Sequence, residues 1–151
     1  MQKEFFFKPE EFDHIFPFYI LLNSNLSIDS IGTSIRKLLI DLTPQHFSDV
    51  FELERPILNE LNLENLKSIN HQLVIIHIKP MNNLIYRGQI EFLSSENKIL
   101  IIGAPWFNSS TELTDSKLEI KDFAAHNPMI DMLHLLKTQE IANEELKQLL
   151  S

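Results

Sequence analysis

Residues 73–107 read LVIIHIKPMNNLIYRGQIEFLSSENKILIIGAPWF, and this stretch decides the fold. Leu73–Ile78 is a near-continuous apolar run of strand length. Leu84–Leu93 alternates, with Leu84, Tyr86, Gly88, Ile90 and Phe92 on one side and Arg87, Gln89 and Glu91 mostly on the other. That period of two is what a half-buried strand requires. Residues 99–107 are apolar almost throughout. The connections 80–83 and 94–97 are short and polar, too short for the crossover that parallel neighbours need, so the three strands form an antiparallel meander.

Upstream, residues 18–22 form an apolar run closed by the turn Asn23-Ser24-Asn25, and residues 26–31 alternate up to Gly32, which predicts a hairpin. Ile35, Leu38, Leu39 and Leu42 recur at i, i+3, i+4 and i+7, predicting an amphipathic helix over 33–42 capped by Thr33 or Ser34. Thr43-Pro44 opens another short helix with Phe47, Val50 and Phe51 inward, broken at Arg55-Pro56, and residues 62–69 form a third. Two strands, a helical middle and three strands give an α+β domain: a five-stranded antiparallel sheet with short helices on one face. That order resembles the PAS arrangement.

The two ends carry apolar residues that such a domain does not need. Residues 4–16 hold Phe5, Phe6, Phe7, Phe12, Ile15 and Phe16, with Pro9-Glu10-Glu11 as the first turn of a short helix. Either this segment folds back on its own sheet, or it covers a second subunit, since aromatics are enriched at interface centres. Residues 122–150 read DFAAHNPMIDMLHLLKTQEIANEELKQLL. Asn127 can cap a helix, Pro128 suits its first turn, and Asp131 complements its positive end. No Gly or Pro interrupts it before Leu150, so it runs roughly 35 Å at ~1.5 Å per residue. Met129, Met132, Leu136, Gln139, Asn143, Leu146 and Leu150 follow alternating steps of three and four, the spacing of a coiled-coil seam, in which Gln139 and Asn143 could fix the register. The chain thus divides into an N-terminal helical segment (1–15), a central domain (16–126) and a C-terminal helix that starts a coiled coil (127–151).

Composition narrows the function. A chain of 151 residues with 44% hydrophobic content and eleven Phe is long enough for one globular domain. A net charge of −8 argues against nucleic acid or anionic lipid as partner. No window of ~18 apolar residues offers a membrane span, and a cytoplasmic location is expected. There is no cysteine, hence no thiolate metal site or disulfide. Three glycines, Gly32, Gly88 and Gly103, cannot build a phosphate-cradling loop, a dinucleotide fingerprint or a G-x-S-x-G elbow. His71 and His77 lie ~20 Å apart along a strand at ~3.3 Å per residue, and His126 and His134 lack metal-pair spacing, so no metal is expected. His126 instead suits a buried backbone or helix-end group. Glu10-Glu11 and Glu144-Glu145 fall on solvated helix faces rather than in an acid–base pair. Arg87 is either an anion contact or half of an ion pair with an acid such as Glu91 or one on a neighbouring strand. Trp106 is read as a core anchor, with ligand stacking as the other option. No catalytic residue or cofactor site emerges.

Phe16-Pro17-Phe18-Tyr19-Ile20, Phe51-Glu52-Leu53-Glu54-Arg55-Pro56, Arg87-Gly88-Gln89-Ile90, Gly103-Ala104-Pro105-Trp106 and Asp122-Phe123-Ala124-Ala125-His126-Asn127-Pro128 with Asp131 occur in that order. Together, over residues 12–136, they resemble the H-NOX-associated, PAS-like domain of soluble guanylate cyclases and bacterial signal-transduction histidine kinases. Tyr19 stands where that family often has His, and Asn127 where it often has Asp. The resemblance implies a non-catalytic module that pairs subunits, as a homodimer or a paralogue heterodimer. It further implies coupling of an H-NOX haem nitric-oxide sensor, as a protein or domain, to a kinase or cyclase output through a coiled coil. No haem is implied in this domain, and the haem domain's Y-x-S-x-R pattern is absent at Tyr19 and Tyr86. The family pairs through the segment before its first strand, here Phe5, Phe6, Phe7, Phe12, Ile15 and Phe16. The alternative is a ligand-sensing PAS domain holding a small apolar molecule between sheet and helices, although many Phe, Leu and Ile with few converging polar groups favour a filled core. A kinase would also need a phosphoacceptor helix and an ATP domain, so the chain is expected to be a segment of a longer signalling protein.

Overall fold

The computed structural model describes residues 4–40 and 42–151. Residues 1–3 of the N-terminal segment, and Asp41 of the helix expected over 33–42, lie outside the described residues. The strands are β1 (Ile20–Leu22), β2 (Ile28–Ile31), β3 (Phe51–Arg55), β4 (Leu73–Ile78), β5 (Leu84–Leu93) and β6 (Lys98–Trp106). The helices are α1 (Pro9–Ile15), α2 (Thr33–Leu38), α3 (Phe47–Val50), α4 (Leu63–Ser68), α5 (Ser110–Ser116) and α6 (Met129–Leu150). All strand pairs are antiparallel, in the order β2-β1-β6-β5-β4-β3. The α+β class expected from the element order holds.

The sheet has six strands rather than five. The extra one is β3, from residues whose spacing suggested the end of a helix. Phe47, Val50 and Phe51 fit a helix face, but α3 stops at Val50 after one turn, capped by hydrogen bonds from Ser48 N–H to His46 Nδ1 (3.1 Å) and from His46 N–H to Asp49 (2.8 Å). Phe51 then pairs with Ile78 on β4. The open edge of β4 offers this segment a backbone ladder, and tertiary pairing overrides a short apolar pattern that fits either period.

The cap of α2 also differs from expectation. Gly32 occupies the N-cap, and neither Thr33 nor Ser34 caps its own helix. Asp13 of α1 does so from a distance: its carboxylate accepts from Thr33 N–H (2.8 Å) and from the Thr33 hydroxyl. The Ser34 hydroxyl donates to the Asp122 carbonyl, and Lys37 pairs with the Asp122 carboxylate at 2.7 Å. These bonds tie α2 to the segment that leads into α6. Helix α5 carried no readable periodicity and was not anticipated from the sequence; Ser109 caps it by accepting from Glu112 N–H (3.2 Å).

The core lies on the sheet face that carries Ile20, Leu22, Ile76, Ile78, Tyr86, Ile90, Ile99 and Ile101, joined by Ile35 and Leu38 of α2, Phe47, Leu66, Phe107 and Phe123 in one cluster. Tyr86 is fully buried and its hydroxyl donates to the Phe18 carbonyl at 2.7 Å. β5 and β6 run in register with Gly88 opposite Gly103. A Cβ on Gly103 would sit 2.2 Å from the Arg87 carbonyl oxygen and 2.5 Å from Gly88 Cα, so the close approach of these strands requires glycine there.

Candidate functional site

The opposite sheet face is open. Cross-strand pairing places Leu73, Gln89 and Ile102 in one row, Ile75, Arg87 and Ala104 in the next, and His77, Ile85 and Trp106 in a third. This face is half apolar, and Leu73 and Trp106 are 49% and 41% exposed. Trp106 is therefore not the core anchor expected from sequence; the alternation of β6 turns it outward one residue after the buried Pro105. Arg87 does not form the ion pair with Glu91 either. Glu91 Oε1 accepts instead from His71 (2.9 Å) and Gln89 (2.8 Å). Those two hydrogen bonds, His71 first, hold the Glu91 carboxyl below its usual range. Among the described residues Arg87 has no ion pair and no side-chain hydrogen bond.

The N-terminal aromatics form a ladder beside this face. Ring centroids lie 6.4 Å apart for Phe5–Phe7, 5.9 Å for Phe7–Phe12, 5.2 Å for Phe12–Phe16 and 5.0 Å for Phe12–Tyr19. The anchored end is half-buried, but Phe5 and Phe6 are 89% and 81% exposed, with Phe7 and Ile15 also open to solvent. Phe16 stacks edge-on against His126, whose Nε2 lies 2.8 Å from the Ile15 carbonyl. His126 thus serves a helix end, as its position suggested, and the helix is α1. Pro128 occupies the N-cap of α6, and Asn127, expected there, sits one residue before it, its Oδ1 accepting from Met129 N–H at 2.9 Å.

A groove of about 690 Å³ opens where these parts meet. It is bounded by Ile15 and Phe16 at the end of α1, by the outer residues of β4, β5 and β6, and by Met129 and Met132 at the start of α6. Its walls are mainly apolar, with Arg87, Gln89, Glu91, His126 and Asn127 as the polar exceptions. On the other face Tyr86, Phe18, Phe51, Phe107 and the isoleucines around them are fully buried, and a smaller space of about 430 Å³ lies between α5 and α6, lined by Leu113, Leu118 and Leu133. No group of three potential metal ligands occurs among the described residues, and no helix there is long and apolar enough to cross a membrane.

The residues read as a seam on α6 separate into two groups. Met129 is buried in this chain's core, and Met132 and Leu136 pack partly against it. Gln139, Asn143, Leu146 and Leu150 are exposed, as is every residue of α6 from position 137 onward. The sequence also did not disclose the outward position of Leu135, which is 54% exposed.

The fold is an α+β module whose outer sheet face is open and largely apolar. Residues 6–84 and 77–150 match the family described as heme NO binding associated, and the chain belongs to that family. It is 27% identical over 144 residues to the guanylate cyclase soluble subunit alpha-1 of Rattus norvegicus, covering 88% of this chain and 21% of the relative. The guanylate cyclase soluble subunit beta-2 of Rattus norvegicus is 29% identical over 148 residues, 91% of this chain and 21% of the relative. The guanylate cyclase soluble subunit alpha-2 of Homo sapiens is 26% identical over 147 residues, 91% and 20% respectively. The chain therefore spans a minor part of the length of these relatives.

Proposed function

We propose that this chain is a non-catalytic regulatory module that pairs with a second copy or a paralogue and relays the state of an H-NOX nitric-oxide sensor to an output domain in the cytoplasm. The observation that carries this reading is the open apolar surface running from Phe5 and Phe6 along α1 and across the outer sheet to Met132. Such a continuous patch marks an interaction site. Membership of the heme NO binding associated family supports the H-NOX connection. The relatives, described as cyclase subunits, favour a nucleotide cyclase as the output and a paralogue as one form of partner; a histidine kinase is the other output compatible with such a module.

The signal would leave along α6. Its first turns are held by Met129 and Leu133 in the core, while Leu135, Gln139, Ala142, Leu146 and Leu149 form an outward stripe in steps of four and three. At about 100° per residue this stripe lies on the far side of the helix from Leu133. It is one residue out of step with Leu136, Asn143 and Leu150, and it keeps Gln139 and Leu146 in common. A shift of α1 against the sheet reaches α6 through His126, and two packings of a helix pair supply the two states that a relay requires.

A sensor role with a ligand in the inner core has no comparable support, because that core is filled by Tyr86, Phe18, Phe51 and Phe107. Phe5→Asp combined with Phe6→Asp tests the pairing. Both residues are exposed, so the fold is unaffected, and sedimentation velocity at high micromolar concentration is expected to change from dimer to monomer. A wild-type chain that is monomeric under the same conditions would overturn the proposal.

A further inference from the structure

Helix α2 takes its cap from another part of the chain. Its six residues make a helix too short to persist unaided in water, and its N-cap position holds Gly32, which has no side chain to accept from the first amides. The Asp13 carboxylate of α1, 20 residues upstream, does this for the Thr33 amide and hydroxyl. On its other side α2 grips the approach to α6. Ser34 donates to the Asp122 carbonyl, and Lys37 holds the Asp122 carboxylate at 2.7 Å. That carboxylate is 13% exposed and also accepts from the Glu119 amide at 2.7 Å. One largely buried side chain thus fixes the turn Ile120–Asp122, a short way before α6 starts at Met129.

In this series of contacts α1 is the least anchored member. None of its residues is buried. Among the described residues its hydrogen bonds to the rest of the domain are those of the Asp13 carboxylate and the Ile15 carbonyl, and Phe12 adds ring contact with Tyr19. Segments with so few buried contacts open at the low end of the range of local stabilities. Helix α2 differs, because Ile35 and Leu38 sit in the core. Departure of α1 therefore leaves α2 in place but uncapped, and its first turn, which bears Ser34, frays. We infer that α1 is a detachable cap: docked, it holds α2 closed on Asp122 and so fixes the root of α6; drawn away, it frees that root. This rests on the reading of α6 as the outgoing helix, and it gives α1 a second route to α6 beside His126. A partner that pulls on α1 alone thereby changes the start of α6 without touching it.

Amide hydrogen exchange tests the inference. Asp13→Ala removes the carboxylate while Ala favours α1 itself, so the loss falls on α2. Exchange is expected to quicken roughly five-fold over Thr33–Leu38, the effect of one lost N-cap bond. It should also quicken at the amides of Asp122, Phe123, Ile130 and Asp131, whose partners are the carbonyls of Glu119, Ile120, Asn127 and Pro128 rather than Asp13, while β4–β6 keep their protection. Asp13→Asn, which retains an oxygen for the Thr33 amide, is expected to fall between. Ser34→Ala combined with Lys37→Met cuts both ties to Asp122 and should quicken the second set of amides by itself. Adding Asp13→Ala to that pair should then affect Thr33–Leu38 alone. The inference is overturned if Asp13→Ala leaves the second set unchanged, if exchange rises equally across the sheet, or if the two changes add at those amides. Association is read separately by sedimentation velocity, so a monomeric wild type removes the pairing and leaves this joint to stand or fall on exchange alone.

Discussion

The Nε2 of His126 lies 2.8 Å from the carbonyl oxygen of Ile15, across 111 residues of sequence. A carbonyl only accepts, so Nε2 carries the hydrogen and donates. The next residue, Asn127, accepts from the first amide of α6. Two adjacent side chains therefore hold the end of one terminal helix and the start of the other. His126→Ala removes an exposed hydrogen bond and part of the stack on Phe16, a loss of about 0.5–1.5 kcal/mol. Amide hydrogen exchange is expected to quicken over residues 9–16 while β4–β6 stay protected. Uniform acceleration across the sheet would show that His126 supports the whole fold rather than this joint.

Tyr86 is the largest fully buried side chain, and burial pushes its phenol far above the ordinary range. The unfolded chain releases that proton above about pH 10, whereas the folded chain retains it. The sign follows: the contribution is intact below the unfolded value and stability declines as pH rises beyond it. Tyr86→Phe leaves the Phe18 carbonyl without its partner and is expected to cost about 1–3 kcal/mol at neutral pH. The difference from wild type should narrow in alkaline urea melts; a constant gap would rule out this origin.

Gly103 has backbone, not side chain, where its Cβ would point. A strand carbonyl cannot step aside without breaking the β5–β6 ladder. Gly103→Ala is expected to destabilise by about 3 kcal/mol or more, a fall in melting temperature of roughly 6–12 °C for a domain of this size. A shift under a degree would mean that the strands can part cheaply at this point.

Glu91 sits at the edge of the groove with a carboxyl held low by His71 and Gln89. A lowered folded pKa gives stability that is present above the usual carboxylate value and lost as pH falls through the lowered one. Glu91→Gln should cost at most about 1 kcal/mol at neutral pH, since the site is partly solvated, and that difference should disappear under acid conditions. Thermal melts at neutral and acid pH measure both limits.

The residues that spelled out the fold in advance were those with one unambiguous period. β5 alternates through ten residues, so its inner and outer members were readable, including the outward Arg87 and Gln89. β3 was not readable, because Phe47, Val50 and Phe51 fit a helix turn and a strand start equally, and the edge of β4 decides between them. Trp106 was misplaced for a related reason: an almost wholly apolar strand gives no alternation from which to tell inside from outside. Asp13 as the partner of Thr33 was also beyond sequence reasoning, since local capping rules see only a few residues around a helix start. The terminal aromatics were legible as an excess, but the groove near them forms only when the ends of α1 and α6 meet over the sheet.

The outward stripe of α6 gives the last prediction, because it differs from the seam read in sequence by a single step. Ala142 lies on the exposed stripe with Leu135, Leu146 and Leu149, whereas Asn143 lies on the seam that continues Leu136. Ala and Lys differ little in helix propensity, and Asn is poorer than Lys, so neither Ala142→Lys nor Asn143→Lys weakens the isolated helix much. Only burial of the new charge between two helices can separate them. If the stripe is the seam, Ala142→Lys raises the dissociation constant of the dimer at least about ten-fold, or ~1.4 kcal/mol, while Asn143→Lys leaves it unchanged. The reverse result assigns the seam to Leu136, Asn143 and Leu150, with Met129 and Met132 still held by the domain. Equal, negligible effects in sedimentation velocity would mean that α6 does not pair in this chain and that association, if present, rests on the sheet face alone.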